Sequence, residues 1–128
     1  SFVITWRGAR REEVAVIARR VELFRLEFPR IPLAGRNVIL TDDGVATGAT
    51  MQAAIWAVNH ERPGRLLVAL PVAPADSLES LARDADELLC LRVPDFFSAV
   101  GQFYVRFDQV EDAEVLAILR EERQRGER

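Results

Sequence analysis

Two adjacent carboxylates, Asp42 and Asp43, stand between an apolar run and a loop of small residues in "VILTDDGVATGAT", residues 38–50. Ionised carboxylates only accept hydrogen bonds, and a vicinal diol offers two hydroxyl donors at a matching spacing. The loop that follows, Ala46, Thr47, Gly48, Ala49 and Thr50, has a different preference. Where such a loop opens a helix, the unpaired N–H groups and the positive dipole end favour an anion. Small side chains let the backbone close on phosphate oxygens, and Thr47 and Thr50 add hydroxyl donors. Gly44 and Gly48 can adopt backbone angles that other residues resist. The acids would repel a phosphate placed beside them. A ligand with a phosphate at one end and a diol at the other fits both halves, and a ribose 5-phosphate group is such a ligand.

Other phosphate loops fit less well. The Gly-Lys-Ser/Thr of a Walker loop is absent, and Gly44 and Gly48 lie four apart, unlike a GxGxxG turn. The plainer alternative is a strand-to-helix turn in which Asp43 and Thr47 serve only as caps.

The elements that must position this stretch alternate along the chain. Residues 37–41 predict a short apolar strand, and 48–61 a helix with Met51, Ile55 and Val58 on one side. "RLLVALPV" (65–72) is apolar throughout, as expected of a strand covered on both faces. Residues 76–85 predict a short helix opening on Asp76, with Glu79 at capping-box spacing. "ELLCLRV" (87–93) reads as a third buried strand, and the aromatic-rich segment 94–110 as irregular. Residues 111–124 predict a terminal helix with acids in its first turn, where the dipole favours them. Upstream, 8–26 predicts an amphipathic helix with Val14, Ile17, Val21 and Phe24 on one face, ended by the prolines and glycine of "FPRIPLAGR". Strand–helix–strand–helix–strand is the alternation of an α/β fold with a parallel sheet and flanking helices. Ligands of such sheets bind beyond the carboxyl ends of the strands, which is where Asp42 and Asp43 fall.

Bulk properties narrow the field. A chain of 128 residues reads as one domain, with its core in 36–110, an N-terminal helix at 8–26 and a C-terminal helix at 111–124. No apolar run approaches ~18 residues, so no membrane span is expected. A net charge of −3 gives no reason to expect nucleic acid. The single cysteine, Cys90, excludes an internal disulfide and a thiolate metal site within this chain, and a cytoplasmic setting is the default. All 17 basic residues are arginine, which excludes a lysine Schiff base or lysine phosphate clamp. His60 sits at a helix end and suits a C-terminal capping role, and Cys90 reads as an inert thiol in an apolar strand. Arg7, Arg10, Arg11, Arg19 and Arg20 read as a solvent-facing set, one of which could reach a pyrophosphate in a dimer.

The 38–50 stretch resembles the phosphoribosyl pyrophosphate (PRPP) motif of type I phosphoribosyltransferases: hydrophobic strand, two acids, then a small-residue loop with Thr-Gly. "LLVALPVAP", the helix after it and "VPDFFSAVGQFYVRF" extend the likeness to the C-terminal half of bacterial phosphoribosyltransferase-like proteins, over about residues 10–120. The resemblance implies a Rossmann-like fold of that family. It implies Asp42 and Asp43 on the ribose hydroxyls, and Ala46, Thr47, Gly48, Ala49 and Thr50 around the 5-phosphate. The implied ligand is PRPP or a nucleoside monophosphate, and the implied reaction transfers ribose 5-phosphate to a nitrogenous base with release of pyrophosphate. Mg²⁺ would be held mainly by PRPP, since it dehydrates reluctantly into all-protein cages. Phe96 and Phe97, after the third strand, are candidates for stacking on the base, although aromatics there also suit core or dimer contacts.

Two departures from the family matter. Members acting on 6-oxopurines carry an Asp where this chain has Ala46, which disfavours hypoxanthine and guanine. The family's pyrophosphate loop and N-terminal strands are also not found upstream of Val38. Strand 37–41 would then be an apolar edge, which natural sheets avoid. A missing N-terminal segment or a second copy in a homodimer would complete the sheet. A transferase, a non-catalytic PRPP- or nucleotide-binding regulatory module, and a structural fragment all remain open.

Overall fold

Leu66, Val68, Leu70 and Val72 alternate along the strand Arg65–Val72 and are all buried, at 0–2% exposure. Leu67, Ala69 and Pro71, which point the other way, are only half-buried. This strand is the middle of three. The computed structural model describes residues 19, 21–26 and 28–127. Their elements run β1 (Asn37–Thr41), α1 (Ala49–His60), β2 (Arg65–Val72), α2 (Ala75–Ala82), β3 (Glu87–Arg92), a 3₁₀ turn (Val100–Phe103) and α3 (Asp112–Gly126). The sheet order is β1-β2-β3, all parallel, with Val38 opposite Leu66, Leu40 opposite Val68 and Val68 opposite Leu88. The fold is therefore α/β, a parallel sheet with flanking helices, as the alternation predicts.

On one face, Ile39, Leu67 and Glu87 form one cross-strand row, and Thr41, Ala69 and Leu89 form another. Val38, Leu40, Leu88 and Cys90 share the other face with the buried side chains of β2. Onto that second face α1 brings Met51, Ile55 and Val58, spaced four and three apart on one helical stripe, and α2 brings Leu81. Burying an Ile or Leu of this kind contributes about 1.5–3 kcal/mol. Gln52 Nε2 and Asn59 Nδ2 donate to the Asp84 carboxylate and carbonyl, both at 2.8 Å, tying α1 to the α2–β3 loop.

The expectation that β2 and β3 are buried on both faces is corrected. Among the described residues one face stays open, with Ile39 at 66%, Leu89 at 54% and Leu91 at 79% exposure. Continuous apolar runs reflect three strands each needing one deep face, and the run alone does not reveal whether the other face is covered. The α2 boundary is corrected too. Its N-cap is Pro74, whose carbonyl accepts from the Leu78 amide, and Asp76 lies inside the first turn accepting from the Ser77 amide. No capping box with Glu79 forms, because the helix starts one residue earlier than Asp76. Cys90 is half-buried and directs its thiol to the Arg92 carbonyl at 3.3 Å.

Ile31–Val105 forms one compact unit, and the described residues up to Arg30 with those from Arg106 onward form another. In the second, residues 21–26 are helical, Phe24 and Leu116 are buried, and α3 carries Asp112 and Glu114 in its first turn. The Arg123 guanidinium sits 5.9 Å above the Phe28 ring. Arg7 and the remainder of the predicted 8–26 helix, with Arg10, Arg11 and Arg20, lie outside the described residues, and Arg19 is exposed. Among the described residues no helix is long and apolar enough to cross a membrane.

Candidate functional site

Unequal strand lengths open the site. The last β1 pair is Thr41 opposite Ala69, while β2 runs on to Val72. Pro71 brings no N–H, and it falls just where β1 has already left the sheet. The chain leaving β1 therefore folds over the end of β2, and the Val45 amide donates to the Val72 carbonyl at 3.2 Å. Val45 itself is buried, so the turn is pinned by both a hydrogen bond and a packed side chain.

Within that turn the Asp43 amide donates to Asp42 Oδ1 at 2.9 Å. Asp42 is half-buried and Asp43 exposed. Gly44 is buried, and a Cβ there would stand 2.8 Å from Val72 Cγ1, 2.9 Å from Val100 Cγ1 and 3.0 Å from the Val72 carbonyl. Glycine is required by close approach at this point. Gly48 is required for a different reason: as the α1 N-cap it takes φ 81°, in the left-handed region, and makes no side-chain cap bond. Of the capping alternative only the Thr47 part forms, and weakly. Asp43 caps nothing, and Thr47 Oγ1 meets the Ala49 amide only at 3.4 Å.

A hollow of about 190 Å³ is lined by Asp42 and by Gly44 through Met51. Among the described residues, the amides of Ala46, Thr47, Gly48, Thr50 and Met51 have no protein acceptor; the first α1 bond is Gln52 to the Gly48 carbonyl at 2.8 Å. The space exceeds one water's share of ~30 Å³ several-fold but falls short of the ~300 Å³ of a drug-sized pocket.

All five loop residues predicted from sequence line this hollow, together with Asp42. Asp43, between the lining residues Asp42 and Gly44 in sequence, is not itself in the lining and is exposed. Phe97 stacks on Phe103 with ring centroids 5.5 Å apart, and Phe96 is 87% exposed; neither lines the hollow. His60 falls in the last turn of α1, and the cap position itself is taken by Glu61. Among the described residues no group of three His, Cys, Asp or Glu could hold a metal ion.

The Asp43 carboxyl is raised above the ordinary aspartate value of 3.8, first by desolvation, then by the Asp42 charge and the hydrogen bond between the two side chains. Two hydroxyl contacts not foreseen from sequence support the loop. Buried Ser77 donates from Oγ to the Ala46 carbonyl at 2.6 Å, fixing the cradle against α2. The Tyr104 hydroxyl donates to the Asp43 carbonyl. The only prior signal for Ser77 is a small polar residue one turn before Leu81 on the buried stripe. Removing its hydroxyl in Ser77→Ala is expected to cost about 1 kcal/mol in chemical denaturation. Inorganic phosphate affinity should fall several-fold in titration calorimetry, because the Ala46 end of the loop loses its tether.

No protein-family model matches the chain. Two Mycobacterium tuberculosis proteins, from strains H37Rv and CDC 1551, are each 42% identical to it over 109 residues, 85% of this chain. Both are named "putative phosphoribosyl transferase". The chain spans a quarter (25%) of the length of these curated relatives. The crystal structure of TT1426 from Thermus thermophilus superposes with a TM-score of 0.77 at 44% identity, covering 84% of this chain and 51% of that one.

Proposed function

We propose that this chain carries the ribose-phosphate site of a phosphoribosyltransferase-like protein, of the type I class, that takes PRPP as donor. The observation that carries this reading is the hollow at the carboxyl end of β1, where unpaired amides of a helix-opening loop meet a carboxylate. The names of the mycobacterial relatives support it. The loop amides and the Thr47 and Thr50 hydroxyls hold the 5-phosphate. Asp42, in the lining, and Asp43, next to it in sequence, accept from the ribose hydroxyls. Ribose 5-phosphate passes to a nitrogenous base and pyrophosphate leaves, with catalysis arising from positioning and from neutralising charge. Among the described residues no acidic cluster could cage a metal, so Mg²⁺ would be held mainly by the donor's pyrophosphate, where it would supply charge neutralisation.

One observation favours a second reading, a non-catalytic PRPP- or nucleotide-binding regulatory module. No arginine lines the hollow, so this chain's described site holds no cation for pyrophosphate. In the transferase reading, further polypeptide from a longer chain or a second copy supplies that contact. Calorimetric titration with ribose 5-phosphate and with PRPP plus Mg²⁺ tests the site, and pyrophosphate release across a panel of bases separates transferase from regulator. If neither sugar phosphate binds more tightly than inorganic phosphate, both readings fall.

The raised Asp43 carboxyl adds a pH dependence. Accepting a diol needs the ionised form, so ribose 5-phosphate affinity should fall on acidification through a range above that of an ordinary aspartate. Phosphate has its own ionisation near ~6, and a parallel titration with inorganic phosphate removes that contribution. Folding stability runs the opposite way. A raised carboxyl favours the folded state below 3.8, and that contribution disappears as pH rises through the folded-state value.

A further inference from the structure

The segment after β3 looks irregular in sequence but is internally braced. The Gln102 side chain accepts from the Ser98 amide at 2.7 Å and the Ala99 amide at 3.1 Å. The Phe97 and Phe103 rings stack, and the Arg92 guanidinium at the end of β3 lies 5.3 Å from the Phe103 centroid. These contacts make residues 96–104 a fixed arm. It returns across the end of the sheet to the acid turn of β1. Val100 closes on Gly44, and the Tyr104 hydroxyl reaches the Asp43 carbonyl, a partner 61 residues away in sequence.

That carbonyl belongs to the peptide joining Asp43 to Gly44, so whatever holds it sets the plane of the turn. The Asp43 amide donates to the Asp42 carboxylate, which links the two acids within the turn. Resting on the reading of these acids as a diol site, we propose that Tyr104 is a positioning residue: by gripping the Asp43 carbonyl, its hydroxyl fixes the carboxylate pair at the angle that receives both ribose hydroxyls. Tyr104 is not among the residues that line the hollow, and the Ala46 end of the loop is tied to α2 by Ser77. Burial and the charges of Asp43 and Asp42 raise the phenol above its usual value of 10.0, so like an ordinary phenol it is a donor at neutral pH.

The separation of the two anchors gives the test. Wild type and Tyr104→Phe are titrated with ribose 5-phosphate, 2-deoxyribose 5-phosphate and inorganic phosphate. Wild type should prefer ribose over 2-deoxyribose 5-phosphate. In Tyr104→Phe, ribose 5-phosphate affinity should fall about three- to tenfold, the scale of one hydrogen bond. The ribose-to-deoxyribose preference should shrink, and inorganic phosphate should bind unchanged. The Gly44 amide resonance should also move in the variant's NMR spectrum. An unchanged sugar preference, or an equal loss for all three ligands, overturns the proposal, the latter because it marks general loosening. A wild type with no preference for the 2-hydroxyl sinks the diol reading itself and the proposal with it, a failure visible before any substitution.

Discussion

With Asp42→Asn and Asp43→Asn combined, affinity for ribose 5-phosphate falls about a hundredfold, while inorganic phosphate binds as well as before or better. The sign difference follows from what each group sees. Asn keeps one acceptor oxygen but loses the charge, and a hydrogen bond to a charged group is worth about 1–1.5 kcal/mol more than a neutral one. Two such bonds give about 2–3 kcal/mol, near two decades in affinity. The phosphate, held by amides some residues away, feels the same substitutions only as relief from two negative charges. Of the single variants, Asp42→Asn should lose more, because Asp42 lines the hollow and Asp43 does not. Calorimetry at fixed ionic strength reads all of this directly. Equal loss of both ligands would mean that the acids hold the loop together instead of holding a sugar.

Gly44→Ala is the substitution expected to damage the fold most among those at the site. Its new methyl group would press on two valine side chains and on the Val72 carbonyl at 3.0 Å, and backbone cannot swing aside as a rotamer can. Overpacking of this kind costs about 1–3 kcal/mol. The φ of 153°, beyond what a side chain readily adopts, adds about 1 kcal/mol. The thermal midpoint should drop by about 10 °C or more for a unit of this size. Binding of ribose 5-phosphate should be lost, since the turn that carries both acids must lift off β2. Gly48→Ala provides the contrast. A Cβ there meets Ser77 and Leu81 at 3.6–3.7 Å, ordinary contact, so only the left-handed φ penalises it, by about 1–2 kcal/mol. If Gly44→Ala melts no lower than Gly48→Ala, the seating of the turn on Val72 and Val100 is wrong.

Local chemistry carried most of what sequence could convey. The spacing of Met51, Ile55 and Val58 gave α1 within a residue at each end, and the apolar runs gave all three strands. The lining of the hollow was legible because a strand, a turn and a helix start are contiguous, so its parts need no tertiary information. Ser77 and Tyr104 were not legible for the opposite reason. They reach the loop across 31 and 61 residues respectively, and nothing local distinguishes their hydroxyls from others on the surface. Phe96 and Phe97 show the same limit: their types suit a stacking surface, and sequence does not tell that Phe97 packs on Phe103 while Phe96 is exposed. The open face of the sheet was missed because a half-covered strand and a fully covered one can share the same apolar run.

That face has a geometric consequence. Both crossovers of this sheet step the same way, from β1 to β2 to β3, and both helices lie on one side, as right-handed connections demand. Growth past β3 in the same direction would only lay more helix over the side already occupied. To roof Ile39, Leu89 and Leu91 with a parallel connection, a chain must step in reverse, from the β3 side toward the β1 side, so handedness dictates the direction of any such crossover.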